Sequence, residues 1–83
     1  MYKIVITRRA LKDLEKIDKK TKNFIGKKIK EYTQEDPLRH ARKLVDPKIG
    51  TYRFRIGDYR VIFDIEDDTI VILRIGHRRE IYK

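Results

Sequence analysis

Apolar and polar positions alternate with a period of two through Thr51-Tyr52-Arg53-Phe54-Arg55-Ile56, Tyr59-Arg60-Val61-Ile62-Phe63-Asp64-Ile65 and Thr69 to Ile75, the spacing of strands that bury one face. Gly57-Asp58 fits a two-residue hairpin loop with glycine first, which sets Ile56 opposite Tyr59, Phe54 opposite Val61 and Arg55 opposite Arg60. Tyr52, Phe54, Ile56, Tyr59, Val61, Phe63 and Ile65 then share a core face, and Arg53, Arg55 and Arg60 share the other. The connection around Glu66-Asp67-Asp68 is assigned by parity. An even loop would turn Arg74 to the core, whereas a three-residue loop places Val71, Leu73 and Ile75 there and adds Arg74 to the arginine face. The odd loop is expected, with Arg78 following if the strand runs that far.

The first half of the chain has other periods. Tyr2 to Ile6 alternates around Ile4 and Ile6 as a short strand, after which Thr7 can cap a helix from Arg8 that sets Leu11, Leu14 and Ile17 on one face. Asp18 is placed to cap a second helix with the stripe Phe24, Ile25, Ile29 and Tyr32, while Lys22, Lys27, Lys28 and Lys30 face mostly elsewhere. Gly26 weakens that helix but suits close packing. The expected architecture is a single two-layer α+β domain over residues 1–83, with two helices on one side of an antiparallel sheet and an arginine-rich surface on the other.

The chain has 83 residues and no cysteine. That length holds one core and one site, and the missing cysteine removes disulfides, cysteine-ligated zinc and thiol catalysis together. Two histidines make a histidine-built metal cage an unfavoured reading. No apolar run reaches the length of a membrane span or signal peptide, so a soluble cytoplasmic protein with no membrane partner is expected. The net charge of +9, from 22 Lys+Arg against 13 Asp+Glu, points to nucleic acid or an acidic protein as partner.

Lysine dominates the helices and arginine the strands and tail, and planar guanidinium groups on a sheet surface suit bidentate phosphate binding. Arg55 facing Arg60 is a like-charge pair that costs ~0.2–1 kcal/mol unless an anion or carboxylate compensates. An anion site is preferred here to two side chains splaying into water. The tail Gly76-His77-Arg78-Arg79-Glu80-Ile81-Tyr82-Lys83 can fold over the arginine face. Tyr82 can cap the core edge, or it can stack on a splayed base or donate its hydroxyl to a phosphate. His77 has the pKa for acid–base work, but strand parity points it away from Arg78 and favours a structural role; His40 reads as a surface residue. No P-loop, dinucleotide fingerprint, paired-carboxylate motif or serine nucleophile motif is present.

The order strand, helix, helix, meander, with the block Tyr52 to Val61 and the ending Gly76-His77-Arg78-Arg79-Glu80-Ile81-Tyr82, resembles the RelE/ParE superfamily of bacterial and archaeal toxins over nearly the whole chain, the RelE branch more than the ParE branch. The resemblance implies a two-helix hairpin on a four-stranded antiparallel sheet whose first strand lies beside the last. It also implies a ribosome-dependent endoribonuclease that cuts mRNA in the A site and is neutralised by a RelB-like antitoxin, with no cofactor and no metal. The family's active positions fall on Arg53, Arg55, Arg60, Arg78 and Tyr82, and Lys48, Arg74 and Arg79 are expected to help bind RNA. Arginine stands where the best-known members have lysine on the first meander strand, and it keeps its proton at working pH. Tyr82, Lys48 and His77 are therefore the candidates for proton transfer, with Tyr82 preferred. A ParE-like topoisomerase poison and a non-catalytic RNA-binding module are the rival functions.

Overall fold

The computed structural model describes residues 2–44 and 50–81. In chain order the elements are β1 (Lys3–Ile6), α1 (Arg8–Glu15), α2 (Lys19–Gln34), the single turn α3 (Pro37–His40), β2 (Ala41–Lys43), β3 (Tyr52–Ile56), β4 (Tyr59–Glu66) and β5 (Thr69–His77). Both expected caps form. Thr7 Oγ1 accepts from the Ala10 N–H at 3.2 Å, and the Asp18 carboxylate accepts from the Thr21 N–H at 3.1 Å, each satisfying one of the orphan donors of a helix start.

The strands form one sheet in the order β1-β5-β4-β3-β2. The first strand lies beside the last, as expected, but in parallel, so the sheet is mixed. The expected count of four becomes five because Ala41–Lys43, a stretch too short to show alternation, pairs antiparallel with β3.

The hairpin register is the expected one, with Ile56 opposite Tyr59, Phe54 opposite Val61 and Arg55 opposite Arg60. The next turn differs. Glu66 pairs with Thr69, so the loop is Asp67-Asp68, with Asp67 in the left-handed region at φ 55°. That even loop turns Ile70 and Ile72 into the core in place of Val71 and Leu73. A bulge then resets the parity: Phe63 pairs with Ile72 but Ile62 with Arg74, leaving Leu73 as the extra residue, and Ile75 returns to the core opposite Val61.

Ala10, Ile17, Ile25, Ile29, Phe54, Ile56, Val61, Phe63, Ile70, Ile72 and Ile75 make up the core. The helices bury less of their expected stripes than the spacing suggested. Ala10 is the fully buried residue of α1 while Leu11 is half exposed, and on α2 Phe24 is also half exposed, with the Lys28 ammonium 5.9 Å from its ring centre. Gly26 serves no close approach, since a Cβ there would meet nothing within 4 Å.

The face opposite the helices carries a small apolar centre of its own. Ile62 is fully buried there, and Gly50 lies against both Ile62 and Leu73 so closely that a Cβ on Gly50 would collide with Ile62. Beside it, Asp64 accepts the Thr51 N–H at 2.7 Å, pinning the entry to β3 across the sheet.

Candidate nucleic-acid interface

Alternation places Arg53 and Arg55 on β3 away from the core, because Tyr52, Phe54 and Ile56 point into it. Arg60 on β4 faces Arg55, as the loop length requires. The two members of this like-charge pair have different surroundings: Arg55 is exposed and Arg60 only 8% exposed. The turn itself stabilises the buried charge. Arg60 Nη1 donates to the Gly57 carbonyl at 3.0 Å and to the Tyr59 carbonyl at 2.9 Å, so the guanidinium plane is fixed against the hairpin end.

The tail is tied to the same turn. The Arg78 N–H donates to the Asp58 carbonyl at 2.8 Å, and Arg78 Nε stands 3.8 Å from Asp58 Oδ1. Arg78 is thereby held beside the hairpin that carries Arg55 and Arg60, with its side chain exposed. Glu80 and Ile81 then donate back to the His77 carbonyl at 2.8 and 2.9 Å. Ile81, buried, packs where Gly76 has no side chain; a Cβ on Gly76 would lie 3.0 Å from Ile81 Cδ1. Gly76 is the β5 partner of Arg60, so the tail does turn back beside the arginine pair.

His77 keeps the structural position that parity gave it, opposite Tyr59, with the rings edge to face at 5.6 Å. Its Nδ1 accepts the Arg79 N–H at 3.2 Å, which leaves the ring proton of the neutral form on Nε2. Arg79 is exposed. His40 is a surface residue, as expected, stacked on Tyr32 at 4.2 Å with Nε2 3.0 Å from the Glu35 carboxylate. The hydrogen bond and charge of His40, with the charge of Arg39, hold the Glu35 carboxyl below its ordinary range.

Arg74 does not join the arginine group. In the register Ile62 stands between Arg53 and Arg74, and the Arg74 guanidinium instead binds Asp13 of α1, with Nε 2.8 Å and Nη2 3.4 Å from its carboxylate oxygens. Arg74 thus lies on the expected face, in one row with Arg53 and Ile62, but its guanidinium is drawn to the sheet edge because α1 covers β5 beyond the end of β1. Lys48 and Tyr82 lie outside the described residues.

One arginine went unremarked as a functional residue in the sequence. Arg42 on β2 is paired with Arg53 and shares its face, but a three-residue edge strand gives too little pattern to announce itself. Among the described residues no group of three or more His, Asp or Glu could hold a metal ion, and no helix is long and apolar enough to cross a membrane. On the other side of the molecule, an apolar groove of about 430 Å³ is lined by Ile4, Ile6, Leu14, Ile25, Ile29 and Ile72, together with Lys22 and Lys30.

A helical hairpin on such a sheet, with its first strand beside its last, is the fold that the resemblance to the RelE/ParE toxins implies. Residues 4–82 match the family described as "ParE toxin of type II toxin-antitoxin system, parDE". The chain is 32% identical to toxin RelG of Mycobacterium tuberculosis, over 99% of its own length and 97% of the relative's, and 29% identical to toxin RelE3 of Methanocaldococcus jannaschii, over 96% and 94%. Among solved structures, the toxin–antitoxin complex RelBE2 of M. tuberculosis superposes with a TM-score of 0.72 at 32% identity, covering 93% of this chain and 98% of that one. The archaeal RelE–RelB complex of Pyrococcus horikoshii gives 0.73 at 26%, covering 95% and 97%. The chain belongs to the RelE/ParE toxin superfamily, in its RelE-like branch, and is a toxin of a type II toxin–antitoxin system.

Proposed function

We propose that this toxin is an endoribonuclease that cuts mRNA in the ribosomal A site, by attack of a ribose 2′-hydroxyl on the adjacent phosphate to leave a 2′,3′-cyclic phosphate and a 5′-hydroxyl. The observation that carries the reading is the arginine group at the hairpin end: exposed Arg55 facing buried Arg60, with Arg78 moored to the same turn through Asp58. The transition state gathers negative charge on the phosphoryl oxygens. A guanidinium already fixed by the Gly57 and Tyr59 carbonyls meets that charge without reorganising, and one such preorganised donor contributes about 3 kcal/mol. Arg53 and Arg55 hold the phosphate, while Arg78 and Arg79 close over it from the tail.

Arginine does not act as the base, because it stays protonated. His77 is occupied by the Tyr59 ring and the Arg79 N–H. Proton transfer is assigned to Tyr82, with Lys48 as the alternative. The partner is a RelB-like antitoxin, as the RelE–RelB complexes among the structural relatives support. Its acidic or amphipathic segment would mask the arginine face or displace the tail, in keeping with the +9 charge.

The test is to incubate the protein with programmed ribosomes, read the message by primer extension and map the product ends. A 5′-phosphate, or a requirement for added magnesium in the cleavage step, would sink the mechanism. The matched family description names ParE, and a topoisomerase-directed toxin is accordingly the second reading. Intact message together with poisoned DNA supercoiling would select it.

A further inference from the structure

Arginine continues onto the edge of the sheet. Ala41 packs with the core opposite Phe54, so Arg42, the next residue of β2, points to the other face, where it stands opposite Arg53. Arg55 lies two residues along β3 from Arg53 and faces Arg60. Arg42, Arg53, Arg55 and Arg60 therefore occupy two adjacent rows of one face, on three neighbouring strands, and each row sets arginine against arginine. Side chains directly opposite one another come within about 4.5–5.5 Å at Cβ, so Arg42 and Arg55 each meet a like charge across the strands. Neither Arg42 nor Arg55 has a carboxylate partner among the described residues. Beside Arg42 the surface is concave, a shallow hollow of about 490 Å³ lined by Arg39, His40, Ala41, Arg42 and Lys43.

We infer that Arg42 is an RNA-binding residue of this toxin, holding a backbone phosphate of the message on the β2 side of the Arg55–Arg60 pair. The inference rests on the RNA-cleaving reading above. The chemistry favours phosphate over a base edge, since an exposed guanidinium on a flexible stem, lining the same hollow as Arg39 and Lys43, supplies charge and bidentate donors. The other use of a charged residue on an edge strand is to discourage pairing with a second chain. That use requires a charge but no RNA, and the two uses are separable.

The test compares Arg42→Ala, Arg42→Lys and the parent in message cleavage on programmed ribosomes across a salt series. The expected result for Arg42→Ala is a KM raised about five- to tenfold with kcat little changed. The slope of log affinity against log salt should be shallower by about 0.7, the share of one phosphate contact to a single strand. Arg42→Lys should recover most of the KM, and all three proteins should melt alike because Arg42 is exposed. An Arg42→Ala variant with the parent's KM and salt slope overturns the inference, as does one that loses only antitoxin binding or solubility. If the parent cuts no message, the enzymatic reading fails by itself. Arg42 is then judged by binding to a single-stranded RNA oligonucleotide, where an unchanged salt slope overturns the inference and a shallower one supports it.

Discussion

Asp13 of α1 and Arg74 of β5 join the first helix to the sheet edge, 61 residues apart in the chain, through an Nε to carboxylate bond of 2.8 Å. The same carboxylate accepts the Ile75 N–H at 3.0 Å, and Thr7 receives the edge further back, its N–H and hydroxyl both donating to the Ile72 carbonyl. Thr7 at the cap of the first helix and Asp13 in its second half thus stand where β1 has already ended. They satisfy backbone positions on β5 that would otherwise need a longer β1.

Acid should reveal this joint. Burial pushes the Asp13 carboxyl up, but the Arg74 and Ile75 hydrogen bonds, with the charges of Arg74 and Arg9, outweigh it and hold the group below its ordinary value of 3.8. A carboxyl depressed in the folded state contributes stability that is present above its unfolded value and lost as pH falls through its folded one. Asp13→Asn should therefore cost about 2 kcal/mol near neutrality, and the gap between variant and parent should narrow below about pH 4. Melting curves at several pH values check it, and a gap that held constant down to pH 2 would refute the assignment.

At the hairpin end, Arg60→Ala and Arg78→Ala should each lower cleavage by about 100-fold, the equivalent of one lost preorganised donor. Arg60→Ala also orphans the Gly57 and Tyr59 carbonyls, so its melting temperature should fall, whereas exposed Arg78 should be neutral for stability. Equal activity in Arg78→Ala and parent would remove the tail from the site.

His77→Gln should leave the cleavage rate within a few-fold of the parent, because the ring packs on Tyr59 and its Nδ1 is used by the Arg79 N–H. Cleavage abolished in a protein that melts like the parent would instead make His77 the proton-transfer group.

Two glycines should respond in opposite directions to alanine. Gly26, in mid-helix with open space around it, should gain about 0.8–1 kcal/mol in stability from alanine's helix propensity. Gly50 should lose stability and disturb the entry to β3, since its φ of 155° and the nearness of Ile62 leave no room for a methyl group. Thermal unfolding of the two variants side by side reads both.

The hairpin was legible in the sequence because a two-residue loop fixes the register and strict alternation fixes the faces; Arg55 opposite Arg60 needed nothing more. Both helix starts were equally open to reading, from Thr7 and Asp18. The β4 to β5 turn was not. Loop length and bulge are coupled there, and two parity changes, one from the even loop and one from Leu73, return Ile75 to the core and hide each other. The burial of Arg60 and the capture of Arg74 escaped for a different reason. Each depends on groups brought from elsewhere in the chain, by the hairpin's own carbonyls or by a helix 61 residues away.

The first strand carries a consequence for how the protein behaves in the tube and in the cell. Among the described residues no strand pairs with the outer edge of β1, and Ile4, Val5 and Ile6 along it are 37%, 49% and 41% exposed. An apolar strand with an open edge is a template for joining a second strand. The free toxin should accordingly be harder to keep monodisperse than its charge suggests, with light scattering that rises with concentration and falls when Val5 is replaced by lysine. Any partner that lies along β1 then also keeps the chain from sticking to itself.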